Sequence, residues 1–186
     1  MKAVLDACVL YPTVLREILT DSAAAGLFQP VWSQRILDEW RLAAARHELP
    51  AGVEIALLVE RFPQASVAAP ESLAQGLDLP DPADRHVVAA ALAAGAGLII
   101  TANLRDFPRH ILGALGLRAV HPDEFLRDLF LSHPEAILAA VIATEARARQ
   151  AGGAMTRKEL IRRARLPRLG KALARRPDAG ILESQG

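Results

Sequence analysis

A single cysteine, Cys8, among 186 residues leaves no internal disulfide framework and no cysteine-rich zinc site to hold the fold. Aromatic residues are scarce at 4% although 52% of the chain is hydrophobic, much of it alanine and leucine. Helices should therefore outweigh strands, and large aromatic platforms for ligands are not expected. No run of 18 apolar residues is present to span a bilayer, and no charged leader precedes a long apolar segment, so the cytoplasm is the expected compartment. The five histidines, His47, His86, His110, His121 and His133, form no i, i+4 helical pair, which excludes a zinc site of the HExxH kind. Neither a GxxxxGK loop nor a GxGxxG loop occurs, which removes the commonest nucleotide-binding classes. Cys8 lacks the neighbours of a nucleophile elbow, so a cysteine hydrolase is not expected.

Net charge is only +1, but it is unevenly distributed. Nine of the 22 Lys and Arg residues fall between Arg157 and Arg176, against the single acid Glu159. The remainder carries 13 basic and 20 acidic residues, a balance of −7. An acidic body with a basic C-terminal segment is compatible with a polyanionic partner, and equally with a solvated helix face or a tail docked on the body.

The opening stretch MKAVLDACVLYP reads as a buried strand that ends in a carboxylate, Asp6. A loop leads to Pro12, which opens a helix stopped at Gly26. FQPVW is a short strand, and Ser33 caps a helix ended by Pro50. In that helix Ile36, Leu37, Trp40, Ala43 and Ala44 form an apolar stripe, with Glu39 beside it. A helix from Pro50 to Phe62 and an extended ASVAA follow, then a loop to Pro82. Asp81 as cap, Pro82 at the first position and Gly95 at the end define the next helix. GLIIT is a buried strand, ANLRDFP a polar turn, and LRAVHP another strand. Pro122 opens a further helix, and Pro134 to Gln150 another, broken at Gly152 and Gly153. Thr156 with Glu159 makes a capping box for a basic helix interrupted at Pro167. Strands alternating with helices predict an α/β fold around a central, mostly parallel sheet, whose ligands gather at the carboxyl ends of the strands.

Asp6, Asp81 with Asp84, and Asp106 lie in three regions that such a sheet would bring together, and Glu39, inside an otherwise apolar helix, is a fourth candidate. Crowded carboxylates repel, and a hard divalent cation, Mg²⁺ or Mn²⁺, is the usual relief. An ion of that kind supports displacement at phosphorus, which points to phosphodiester hydrolysis. Each acid also has a plainer role available. Asp6 suits an Asx turn, Asp81 and Asp84 suit helix capping, Glu39 suits a surface edge, and Asp106 suits the turn before Pro108.

The motifs VLDACVLYP, WSQRILDEWR and DPADRHVVAAALAAGAGLIITANLRDFP, in that order, resemble the PIN-domain family, and within it the branch of VapC-type toxins. The resemblance covers roughly residues 1 to 130. It implies a three-layer α/β/α sandwich, an acidic cleft holding Mg²⁺ or Mn²⁺, and metal-dependent cleavage of RNA by a homodimeric toxin restrained by an antitoxin protein. Carried over residue by residue, the catalytic set is Asp6, Glu39, Asp84, Asn103 and Asp106. Asp6, Asp84 and Asp106 hold the ion, Glu39 orients or deprotonates water, and Asn103 hydrogen-bonds water or a phosphate oxygen. Asn103 stands where many relatives have Asp, with Asp106 three residues later to supply the charge. Thr101 matches a hydroxyl beside the site, and Cys8 stands where relatives commonly carry Asn, Ser or Thr. The expected division is a nuclease domain over residues 1–131 and a helical extension over 132–186. In that extension Arg157, Lys158, Arg162 and Arg163 are candidates for RNA contact, and the helices are alternatively a cover for an apolar groove. Two other readings are a housekeeping RNA-processing nuclease and a PIN-like RNA- or protein-binding module with little or no catalysis. A receiver-like signalling domain is disfavoured, because Lys158 and Lys171 lie in the basic segment rather than after a strand.

Overall fold

Ala3, Val4 and Leu5 expose no surface, as expected of a strand covered on both faces. They form most of β1 (Lys2–Leu5), the middle strand of a five-stranded sheet. The computed structural model describes residues 1–47, 51–152 and 155–176. Its other strands are β2 (Gln29–Ser33), β3 (Ser66–Val67), β4 (Leu98–Ile100) and β5 (Arg118–Val120), all parallel and ordered β3-β2-β1-β4-β5. The sheet is thus wholly parallel, where the sequence predicted mostly parallel. Pro30 lies inside β2, a place where proline normally argues against a paired strand. It is tolerated because β3 reaches only Trp32 and Ser33, leaving β2 unpaired on that side at Pro30.

Helices flank the sheet: α1 (Ala7–Leu10), α2 (Thr13–Ala24), α3 (Gln34–Ala45), α4 (Gly52–Arg61), α5 (Arg85–Ala94), α6 (Arg109–Ala114), α7 (Pro122–Ser132), α8 (Pro134–Gln150), α9 (Arg157–Arg163) and α10 (Pro167–Ala174). Two of these, α1 and α6, fall in stretches without an amphipathic signal and were not expected from the sequence. Four residues are too few for a stable isolated helix. Arg16 compensates: its buried guanidinium donates to the carbonyls of Leu10 (2.6 Å) and Tyr11 (3.2 Å) at the end of α1, pairs with Glu54 at 2.9 Å and lies 4.5 Å over the Trp40 ring. The expected caps hold: the Ser33 hydroxyl accepts from Ile36 N, and Gly95 closes α5 in the left-handed conformation at φ +60°. Pro50 and Gly153, read from the sequence as helix boundaries, and the tail beyond Arg176 lie outside the described residues.

Downstream of β5, α8 packs against α2 and α7, and α10 against α7. Leu160, Ile161, Leu166, Leu169 and Leu173 are buried in the same hydrophobic core as the strands. The capping box at Thr156 and Glu159 is present in full. Asp123, 4% exposed near the start of α7, reaches 45 residues along the chain: its carboxylate accepts from the backbone N–H of Arg168 at 2.9 Å and of Leu169 at 3.0 Å. Those are orphan donors of the first turn of α10, so one helix is capped by a side chain from another.

Candidate active site

The strand order reverses direction at β1. From there β2 and β3 build outward on one side, β4 and β5 on the other, so the β1/β4 pair is the topological switch point. Register places Leu5 beside Ile100, and Asp6 N donates to Ile100 O at 3.1 Å, which brings the ends of both strands together. Asp6 is 6% exposed and Thr101 fully buried there. The Thr101 hydroxyl donates to Asp6 Oδ2 at 2.7 Å and accepts from Asn103 N at 3.0 Å. The Cys8 thiol contributes a second contact to Oδ2 at 3.2 Å, and its sulfur accepts from Ala102 N at 3.3 Å. Burial first, then the Asp6 charge, push the Cys8 thiol up to about 12. A thiol held protonated this firmly is no nucleophile; it acts as a donor that fixes Asp6. Thr101→Val removes one donor from Asp6 and orphans Asn103 N–H. It is expected to cost about 1–3 kcal/mol of stability, to be read from denaturant melts, and an unchanged midpoint would show that the lock carries no weight.

Asp84 enters from the α5 side. Asp81 accepts from Ala83 N at 2.8 Å, as expected of a cap, but Pro82–Asp84 winds as a 3₁₀ turn before α5 begins, with Asp84 N bonded to Asp81 O at 3.1 Å. The tighter turn makes Asp84 itself the residue preceding α5. Burial, then the charges of Asp6, Asp81, Asp106 and Glu39, push its carboxyl from the ordinary 3.8 up to about 6. A helix N-terminus favours an anion by about 0.3–1 kcal/mol. The upward displacement, worth about 3 kcal/mol before solvent screening and roughly 1–2 after it, outweighs that pull. Excess negative charge at a half-buried point, presented entirely by carboxylate oxygens, is the donor chemistry that suits Mg²⁺ or Mn²⁺. Among the described residues no three His, Cys, Asp or Glu already stand at metal-holding positions, so the acids share one field without converging on one point.

Asp106 closes a 3₁₀ turn (Leu104–Asp106) after β4 and lies 3.6 Å from the exposed Arg105 guanidinium. Asn103 precedes that turn, solvent-exposed. Glu39 projects from α3, about a third exposed, with Oε1 2.8 Å from His86 Nε2 and 3.9 Å from Arg35 Nε. His86 was not singled out from the sequence. It is 2% exposed on α5, and neither ring nitrogen has a partner aligned for hydrogen bonding despite the close approach to Glu39. The signal was its place two residues after Asp84, on the face of α5 turned to the core. The basic candidates divide: Arg157 is engaged with Glu145 at 3.3 Å, whereas Lys158, Arg162 and Arg163 are exposed with no ion-pair partner among the described residues.

A parallel sheet with a buried acid locked at its switch point and further acids facing it defines a class: the chain belongs to the PIN-domain family, whose model matches residues 2–105. More particularly, it is 42% identical over 59 residues to the Mycobacterium tuberculosis protein "Putative ribonuclease VapC50", a stretch covering 32% of this chain and 35% of that one. The chain thus spans about a third of the length of the curated relative it matches, which is 35% covered. No solved structure matches it significantly. The resemblance to VapC-type proteins read from the motifs agrees with that likeness.

Proposed function

We propose that the protein is a divalent-metal-dependent ribonuclease, and that it is the toxin of a toxin–antitoxin pair. The observation that carries this is Asp84, raised to about 6 by burial and by the surrounding acids at the switch point of a PIN-family sheet. Asp6, Asp84 and Asp106 are the residues that would hold Mg²⁺ or Mn²⁺. Bound there, the ion would supply Lewis-acid stabilisation of negative charge on the phosphoryl oxygens. Glu39, whose Oε1 lies 2.8 Å from His86 Nε2, takes the proton of the attacking water. Asn103, exposed at the rim, offers its amide to a phosphate oxygen. Thr101 and Cys8 prevent Asp6 from turning away. Leu42, Val53 and Leu57, 62%, 70% and 59% exposed, give α3 and α4 apolar outer surface that supports a protein partner, an antitoxin or a second copy of the chain.

The ribonuclease reading draws on the partial likeness to the mycobacterial "Putative ribonuclease VapC50", and the toxin role on the resemblance of the motifs to VapC-type toxins. The spread of the acids also fits a PIN-like binding module without catalysis, and calorimetry with Mn²⁺ separates the two readings. Because Asp84 must lose its proton to bind a cation, affinity should fall as pH drops through about 6. Titrations at pH 7.5 and pH 5 are expected to differ by roughly tenfold, with close to one proton released per ion at the lower pH. An absence of Mn²⁺ binding at both pH values, together with RNA cleavage indifferent to a chelator, would refute the proposal.

A further inference from the structure

The turn that carries Asp106 has a second face. Leu104, 40% exposed, forms the lip of a cavity of about 340 Å³ that runs along β5, the edge strand of the sheet, between α6 and α7. Leu112 and Val120 contribute to an apolar floor. Arg109 and Arg118 line the walls, both exposed and neither with an ion-pair partner among the described residues. The one acid at the cavity, Glu124, is paired with Arg168 at 3.2 Å, so its charge is offset from outside.

His121 adds a third donor. Its Nδ1 accepts from Asp123 N at 3.2 Å as the cap of α7, which fixes the proton of the neutral ring on Nε2. The cavity lining therefore combines an apolar floor with two arginines and a histidine, and the one carboxylate among its described lining residues, Glu124, is paired with Arg168. Arginine forks bind phosphate, and an apolar floor receives the face of an unstacked base. The volume is at the small end for ligand sites, room for one nucleotide rather than for a folded RNA element.

We infer that this cavity is a subsite for the nucleotide of single-stranded RNA neighbouring the cleaved phosphate, with Arg109 and Arg118 on its phosphates and its base against Leu104 and Leu112. The inference rests on the ribonuclease reading, since the Asn103–Asp106 turn joins the cavity to the acids. A peptide adding to the edge of β5 would make no particular use of two arginines and a histidine along the cavity, so RNA is the occupant the chemistry favours.

The test uses the full-length chain in a Glu39→Gln background with Mg²⁺ and a fluorescein-labelled single-stranded RNA octamer, followed by anisotropy across a salt series, with the octamer checked intact on a gel. Arg109→Ala with Arg118→Ala should weaken binding by about tenfold or more and reduce the salt slope by about 1.4, the value for two lost phosphate contacts on a single strand. Gly113→Leu provides an uncharged counterpart. This helical glycine lines the cavity, and an added Cβ there meets no atom within 4 Å, so a larger side chain can be introduced at the groove without a clash at Cβ. It should weaken binding with the slope unchanged. Parental affinity in both variants overturns the subsite while leaving the nuclease reading intact. Failure of the Glu39→Gln parent itself to bind the octamer overturns the reading and the subsite together.

Discussion

Asp84→Asn is expected to lower metal-dependent RNA cleavage by a factor on the order of 10² or more, the scale seen when a charge-stabilising group is removed from a reaction centre. The same substitution should make the metal-free protein more stable. Asp84 has a folded pKa of about 6 against an ordinary 3.8, so the fold favours its protonated form. The contribution of this carboxyl to stability is fully favourable below about 3.8, declines as pH rises through about 6, and is absent at neutral pH, where the ionised group strains against its neighbours. Asparagine removes that strain, a gain of roughly 1–2 kcal/mol after solvent screening, or about 2–8 °C in melting temperature for a chain of this size. Above pH 6 the variant should melt higher than the parent, and near pH 4 the two should converge. Parental cleavage rates in Asp84→Asn would remove the residue from the reaction, and a lower melting temperature at pH 7.5 would contradict the electrostatic account. A site whose removal stabilises its scaffold is the expected mark of groups kept for function at the expense of folding.

The second large effect concerns the end of the chain. Asp123→Ala should cost about 2–4 kcal/mol, because a buried and a part-buried backbone N–H group at the start of α10 lose a charged acceptor at once. In melting temperature this amounts to about 4–16 °C. Asp123→Asn, with one carbonyl oxygen left, should recover part of the loss. Limited proteolysis should show α9 and α10 cut before the sheet. An unaltered melting profile in Asp123→Ala would mean that packing by Leu169 and Leu173 alone holds the segment.

The sequence carried the strands, the caps and the order of the acids, because those signals are local. Ser33 before an apolar stripe, Asp81-Pro82 before an alanine-rich run and Gly95 after it each specify backbone within a few residues. Asp123 was not legible as a clamp on α10, since nothing within its own helix announces a partner 45 residues away. Nor was α1, whose four residues persist through the Arg16 guanidinium rather than through their own propensity. At the site, the Thr101 hydroxyl donates to Asp6 at 2.7 Å, an approach that follows from the pairing of the two strands that precede them. The closeness of His86 to Glu39 depends on how α3 and α5 pack, and the donors along β5 on how α6 lies over it. Both are tertiary facts that no single stretch encodes.

Cys8 has a practical consequence. Held protonated by burial and by Asp6, the chain's one thiol should resist iodoacetamide under native conditions and react when β1 and α1 separate. Its alkylation rate is then a clock for opening of the switch point, read without introducing any label, and on the proposed metal-dependent reading added Mn²⁺ should slow it.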